Sequence, residues 1–409
     1  MSEERELEDP QTPPESWPDE QELFALSGSL PLPERNIPQA SAISMAGVWQ
    51  FDSPDEAEDA LAGASNSFVY RRDGHPNERE LSLKLAALHG GAGAMLTAQG
   101  MSALAAIAWT VLEPGSKVWI GQEMYGKTHQ LFTQDLKRWN VTTRPFDPSN
   151  EADVEELAAA KCSLVIVETI SNPRLRVPDL QRVSNAAHSA GALLVVDNTF
   201  ASHLLCRPLS CGADLVVESL SKQVNGHSDA MLGLVTGNDK QVMEEIRRSI
   251  STFGLASNPL DCYMTNRGLA SMAIRMKRAC ENALAISQAL ASCDRVEVVD
   301  YPGLASHADH GVAQRQFCGG FGWMLSFRLA GDRTLVGRLF RQLKPEINFV
   351  PSLGDIVTTV SHPASTSHRT IAKDALQQLG ISEGTVRVSS GVEPTAWLVK
   401  RFAAALESI

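Results

Sequence analysis

The fold is decided between Ser163 and Asp229, where the chain reads SLVIVETISNPRLRVPDLQRVSNAAHSAGALLVVDNTFASHLLCRPLSCGADLVVESLSKQVNGHSD. Three apolar runs, Ser163 to Val167, Ala192 to Val196 and Ala213 to Val217, each end in a polar or charged cluster. Short runs rich in β-branched residues read as buried strands. Between the first two, Leu180, Val183, Ala186 and Ala187 fall at helical spacing, with Asp179 as N-cap and Gly191 as C′ stop. Strand, helix and strand in so short a span form a βαβ unit and predict a parallel sheet. In such sheets ligands bind beyond the carboxyl ends of the strands. The residues falling there are Glu168, Ser171 and Asn172, then Asp197, Asn198 and Thr199, then Ser219, Ser221 and Lys222.

A lysine and a carboxylate at neighbouring strand ends suit pyridoxal 5'-phosphate (PLP). The lysine forms the covalent imine link, and the carboxylate keeps the pyridine nitrogen protonated so the ring accepts electrons. With VVDNTF, SLSK and NGHSD in this order, the chain resembles the Cys/Met-metabolism, or trans-sulfuration, PLP enzymes. These are cystathionine γ-synthase, cystathionine γ-lyase, methionine γ-lyase and the O-acylhomoserine sulfhydrylases. The resemblance covers nearly everything after about Ile37. It implies an α/β fold type I enzyme, a doubly wound and mostly parallel sheet followed by a smaller C-terminal α+β domain.

The resemblance also assigns roles. Lys222 is the cofactor lysine, flanked by Ser219 and Ser221, whose hydroxyls face the phosphate. Asp197 pairs with the ring nitrogen, with Thr199 beside it, and Asn172 meets the phenolic oxygen. Tyr125, in MYGKTH, stacks on the ring and exchanges protons with the substrate. In AQGM, Gly100 and Met101 open a helix running to about Leu112, and a helix N-terminus is a phosphate seat. Tyr70 and Arg72, in YRRDGHPN, bind the phosphate of a neighbouring subunit. His75 and Asn77 depart from the family there, and their roles stay open. His227 is expected to be structural, and Glu218 and Leu220 depart from the family without touching the cofactor anchor. Ser352, in SLG, and Arg387, in VRVSSGVE, bind substrate, Arg387 as a fork on the α-carboxylate. Lys127 is atypical and places a cation toward the substrate. Val357 lies where lyases often carry a glutamate.

Composition sets the outer limits. At 409 residues, 43% hydrophobic and 21% charged, the chain has the make-up of a soluble protein of about two domains. A net charge of -12 argues against nucleic acid and anionic membrane as partners. Seven scattered cysteines without a CxxC pair predict reduced thiols and a cytoplasmic address. No run is long enough to span a membrane, and the acidic start lacks the basic stretch of a signal peptide. His362 and His368 are separated by a proline and small residues with no carboxylate close by, so no metal is expected.

The predicted organisation is an acidic, proline-rich tail (1–36) too polar to order alone, an arm (37–68), a PLP-binding domain (69–262) and a small domain (263–409). A long helix from Leu269, with Met272, Met276, Cys280, Ala283, Ser287 and Leu290 on one face, opens the small domain, which continues as an antiparallel sheet. The expected activity is carbon–sulfur bond cleavage or γ-replacement on an amino acid by a homotetramer, a dimer of dimers with shared sites. Lyase, synthase and sulfhydrylase remain open, as does a PLP-binding homologue with a regulatory role.

Overall fold

The computed structural model describes residues 39–369 and 373–409; the expected disordered tail lies outside them. Two sheets organise the chain. The larger has the order β1 (Gly93–Thr97), β7 (Gly233–Gly237), β6 (Leu215–Ser219), β5 (Leu193–Asp197), β4 (Leu164–Glu168), β2 (Lys117–Gly121) and β3 (Thr142–Phe146). Strands β3, β2, β4, β5 and β6 run parallel, and β7 is antiparallel to both its neighbours. The predicted parallel sheet is therefore present with one reversed strand.

Successive side chains of a strand face opposite sides, and here both sides are covered. Val165, Val167, Leu194, Val196 and Val216 join one core with Leu81 and Leu85 of the helix Pro76–His89 and with Leu180 and Val183 of the helix Leu180–Ser189. Leu164, Ile166, Val195, Leu215 and Val217 join the other, with Leu104 and Ile107 of the helix Gly100–Val111 and Met243 and Ile246 of the helix Lys240–Thr252. Double coverage explains why these strands read as unbroken apolar runs rather than alternating ones.

The expected caps of the helix Leu180–Ser189 are both present. The Asp179 side chain accepts from the Arg182 N–H, and Gly191 follows the helix at φ +73°. The strands end one or two residues later than their apolar runs, so Glu168, Asp197 and Ser219 are the last strand residues, on the same face as Ile166, Val195 and Val217. A charged residue tolerated at a strand end escapes a reading based on hydrophobicity.

The smaller sheet has the order β10 (Asn348–Phe349), β11 (Thr359–Ser361), β12 (Thr385–Ser389), β9 (Met324–Leu329) and β8 (Val296–Asp300). It is antiparallel except for the short β10–β11 pair. The long helix expected from Leu269 is present from Met272, and a further helix precedes it. Pro259–Leu269 is followed after two residues by Met272–Ala291, which buries Met272, Met276, Cys280, Ala283, Ser287 and Leu290 as anticipated. The 262/263 boundary thus falls inside a helix. The arm crosses the start of the larger domain, where Asn77 accepts from Ser44 N–H (2.9 Å) and donates to Ala42 C=O (2.7 Å). Among the described residues no helix is long and apolar enough to cross a membrane.

Candidate active site

Three strand ends, one helix N-terminus and one loop of the small domain surround a cavity of about 480 Å³. Its wall contains Gly100, Met101, Tyr125, Asn172, Asp197, Thr199, Ser219, Ser221, Lys222, Ser352 and Arg387, far apart in sequence and brought together here. Lys222 sits just past β6 and donates from Nζ to Ser352 Oγ at 3.2 Å. Burial, and then the nearby Arg387 charge, lower its pKa. A larger share of neutral amine follows, the form that can attack a carbonyl or accept a proton.

The loop carrying Lys222 is fixed from two sides. Gly354 lies against it with φ +84°; a Cβ there would sit 2.8 Å from Lys222 C and Gln223 N, so glycine alone fits. Beneath it, the buried Arg275 donates to Gln223 C=O (2.8 Å), Val224 C=O (3.0 Å) and Gly268 C=O (2.7 Å). His227 bonds within its own turn, to Asn225 C=O at 2.6 Å, as a structural residue does.

Asp197 Oδ1 accepts from both the N–H (3.0 Å) and the hydroxyl (2.5 Å) of Thr199. The Thr199 hydroxyl in turn accepts from Ser219 N–H at 2.9 Å, locking the ends of β5 and β6 together. Withdrawal from water raises the Asp197 pKa, opposed by the Thr199 bonds. Such a carboxylate favours a cationic partner. Across the cavity, Ser219 packs on Gly100, where a Cβ would approach Ser219 Cβ to 3.1 Å. This leaves open the first turn of the helix Gly100–Val111, whose N–H groups lack intrahelical partners. Ser221 is already engaged, its Oγ accepting from Leu232 N–H at 3.0 Å.

Arg387, on β12, is 2% exposed and donates to Asn172 Oδ1 (2.7 Å) and Ser361 Oγ (3.1 Å). Burial lowers its pKa to about 10, which leaves it charged at neutral pH. Asn172 is held a second time, its C=O accepting from Nε2 of His368 at 3.0 Å. The expected bond from Asn172 to a cofactor oxygen therefore falls to its amide nitrogen, since Oδ1 is taken.

Three predicted residues lie elsewhere. Lys127 is not in the cavity wall; its ammonium bonds Gln130 at 2.9 Å along the outside of the helix Gly126–Thr133. Thr128, one residue on, faces the cavity instead, because each helical step turns about 100°. Tyr70 is exposed, and Arg72 lies over its ring at 5.1 Å, both outside this cavity. His75, left open above, caps the helix Pro76–His89, its Nδ1 accepting from Glu78 N–H at 3.2 Å. His362 is bonded to Ser365 and to Glu383 C=O, so it and His368 both serve hydrogen bonds. Val357 is exposed outside the wall.

Glu168, placed at a ligand-gathering strand end by the sequence but given no role there, lines the wall. Its Oε1 accepts from Tyr125 N–H at 2.9 Å, its Oε2 is buried without a partner, and burial together with Asp197 raises its pKa well above the usual range. Its place at the end of β4, level with Asp197 on β5, was the available signal.

The wall fits PLP. An amine, a carboxylate, a helix N-terminus and a guanidinium supply partners for its carbonyl carbon, ring nitrogen, phosphate and amino-acid adduct. The comparisons agree. Residues 34–407 match the Cys/Met metabolism PLP-dependent enzyme family. L-methionine gamma-lyase of Fusobacterium nucleatum subsp. polymorphum is 35% identical over 373 residues, 90% of this chain and 94% of that protein. Cystathionine gamma-synthase of Escherichia coli (strain K12) is 38% identical over 324 residues, 79% and 83% of the two chains. The crystal structure of cystathionine gamma synthase from Xanthomonas oryzae pv. oryzae in complex with aminoacrylate and cysteine aligns with a TM-score of 0.85 at 35% identity, covering 90% and 93%. With its family match, its fold and its cavity in accord, this chain belongs to the Cys/Met-metabolism PLP-dependent enzymes of trans-sulfuration.

Proposed function

We propose that the chain acts at Cγ of an amino acid carrying a sulfur or acyloxy leaving group, cleaving or replacing that bond. The observation that carries this reading is the shared cavity. The Lys222 amine, the Tyr125 phenol and the Arg387 guanidinium line one wall system, with the lysine held by Ser352. Reaction at Cγ needs proton removal at Cα and then at Cβ, and a proton at the departing atom. Bound PLP supplies the electron sink. Arg387 clamps the α-carboxylate with the N–H groups left free by Asn172 and Ser361. Lys222 takes the Cα proton and, once it has handed that proton on to the cofactor adduct and become a neutral amine again, takes the Cβ proton; its lowered pKa suits a group that must both accept and release protons. Tyr125 protonates the leaving group. Asp197, braced by Thr199, answers a cationic ring nitrogen.

Tyr70 and Arg72, exposed at the end of the arm, are assigned to the phosphate of a second subunit in a dimer of dimers. Ser219 and the N–H groups at Gly100 and Met101 hold the phosphate from this one. Seven free cysteines fit a cytoplasmic setting.

The holoenzyme is given cystathionine, O-acetylhomoserine or O-succinylhomoserine, with and without cysteine. A four-carbon 2-oxo acid from cystathionine alone marks elimination at Cγ. Acid anion released from an acylhomoserine only when the thiol is present marks replacement. A three-carbon 2-oxo acid from cystathionine would place cleavage at Cβ and refute the reading. Lys222→Ala abolishes turnover and the visible cofactor band, and Tyr125→Phe lowers kcat by about 10²–10⁴. A cellular role that survives Lys222→Ala would mean a regulatory homologue.

A further inference from the structure

Behind β6, on the side away from the cavity, three buried polar side chains meet with too few partners among themselves. Glu218 precedes Ser219 and so points to the opposite face of the sheet. There it meets His89, the last residue of the helix Pro76–His89, and His203, in the short helix Ser202–Leu205 that follows the DNTF turn. One ligand atom from each lies within 4.8 Å of the others, and His89 Nε2 is 3.1 Å from Glu218 Oε2. The three are 1%, 2% and 1% exposed. Beyond that one contact, His89 Nδ1 and both nitrogens of His203 lack a hydrogen bond. Buried polar atoms in folded proteins almost always have partners, so three unpartnered imidazole nitrogens beside a buried His89–Glu218 contact call for a missing one.

We propose that His89, His203 and Glu218 supply three of the four donors of a buried site for a divalent first-row transition cation, zinc foremost, with a water as the fourth. Two imidazoles and a carboxylate are zinc's usual nitrogen and oxygen donors, whereas calcium and magnesium require six or more oxygens. Donors about 2.0–2.1 Å from a tetrahedral ion stand about 3.3 Å apart, close to the spacing of His89 and Glu218. His203 closes the remaining gap by at most about 1.5 Å.

A proton shared between His89 and Glu218 leaves His203 unanswered, and no cation among the described residues pairs with Glu218 apart from His89. A divalent ion answers both histidines and balances the buried carboxylate. The backbone supports an aimed side chain. Ser202, fully buried, holds φ +56° immediately before His203, a conformation uncommon for serine.

Such an ion ties together the helix that anchors the arm, the strand that leads to Lys222 and the turn that carries Asp197 and Thr199. It enters during folding, because all three donors are enclosed. The second nitrogen of each imidazole has no partner. Since outer partners contribute about 10–100-fold to affinity, this site is weaker than zinc sites that have them, and purification must avoid chelators.

The test is elemental analysis of holoenzyme from zinc-supplemented culture, desalted by gel filtration into metal-free, chelator-free buffer to remove loosely held surface ions. We expect roughly one zinc per subunit, and at least about a tenfold loss in Glu218→Gln and His203→Gln that retain the cofactor band. Wild type holding less than about a tenth of an equivalent overturns the proposal; so does zinc undiminished in both variants. Should the variants not fold, X-ray absorption on wild type decides. Nitrogen and oxygen at about 2.0–2.2 Å support the site, and sulfur at about 2.3 Å places the ion elsewhere and refutes it.

Discussion

Arg275 is the strongest lever on the catalytic lysine that does not touch the cavity. It is 6% exposed, and its guanidinium closes three backbone carbonyls, two of them immediately after Lys222. In Arg275→Met the apolar stem is kept and the donors vanish. Each buried carbonyl left unanswered costs about 1–3 kcal/mol, together about 3–9. Part of this is recovered. Burial lowers the Arg275 pKa from its ordinary value to about 10, so holding its charge costs about 3 kcal/mol that methionine does not incur. The net expectation is a loss of about 0–6 kcal/mol, centred near 3. With a urea slope of about 2 kcal/mol/M, the midpoint falls by roughly 1.5 M. The assay is urea unfolding of both holoenzymes at equal cofactor excess, since bound cofactor raises apparent stability. The lysine loop is also released, so kcat falls alongside stability. A midpoint shift below about 0.25 M with unchanged kcat would show that the three carbonyls find water and that Arg275 does not hold the loop.

Two further outcomes follow from the geometry. His368, 1% exposed, has its pKa lowered from 6.5 to about 4, mainly by burial and then by Arg387. Its neutral form is the folded form, so the unfolded chain binds a proton first as pH falls. The contribution is complete above pH 6.5 and is lost toward pH 4, about 2 kcal/mol of it between pH 7.5 and 5. His368→Gln should flatten the stability profile by that amount, and a proton NMR titration placing His368 near 6.5 would contradict it. Gly354→Ala puts a methyl 2.8 Å from the Lys222 carbonyl carbon at φ +84°. The backbone strain alone is about 1–2 kcal/mol, and we expect kcat to fall while Gly→Ala changes at surface positions away from the cavity leave it untouched; a fully active variant would mean that the loop moves freely.

What the sequence revealed and what it hid divide along a physical line. Lys222, Asp197, Asn172 and Thr199 could be read because each sits at a strand end or in the turn that follows, where an apolar run stops and topology dictates that ligands gather. Arg387 and Ser352 were legible only through resemblance, for nothing local to β12 says that its arginine faces a lysine on another domain. Lys127 shows the limit of motif proximity. One residue from Thr128, it is turned to the outside by helical geometry that a string of letters does not display. Arg275 stayed hidden for a different reason, and Glu168, though placed at a strand end, was given no role. Their meaning lies in contacts across 52 and 43 residues, and a charged residue in an amphipathic or strand-end position reads as solvated until burial is seen. The His89, His203 and Glu218 cluster is the extreme case. Each of its members is unremarkable in sequence, one at a helix end, one after a turn, one in a strand. Only the pleat of β6, which sends Ser219 toward the cofactor and Glu218 the other way, makes them neighbours. The same alternation therefore builds the active site on one face and gathers the unsatisfied polar groups on the other. A perturbation on the hidden face should consequently be felt at the visible one through a single strand.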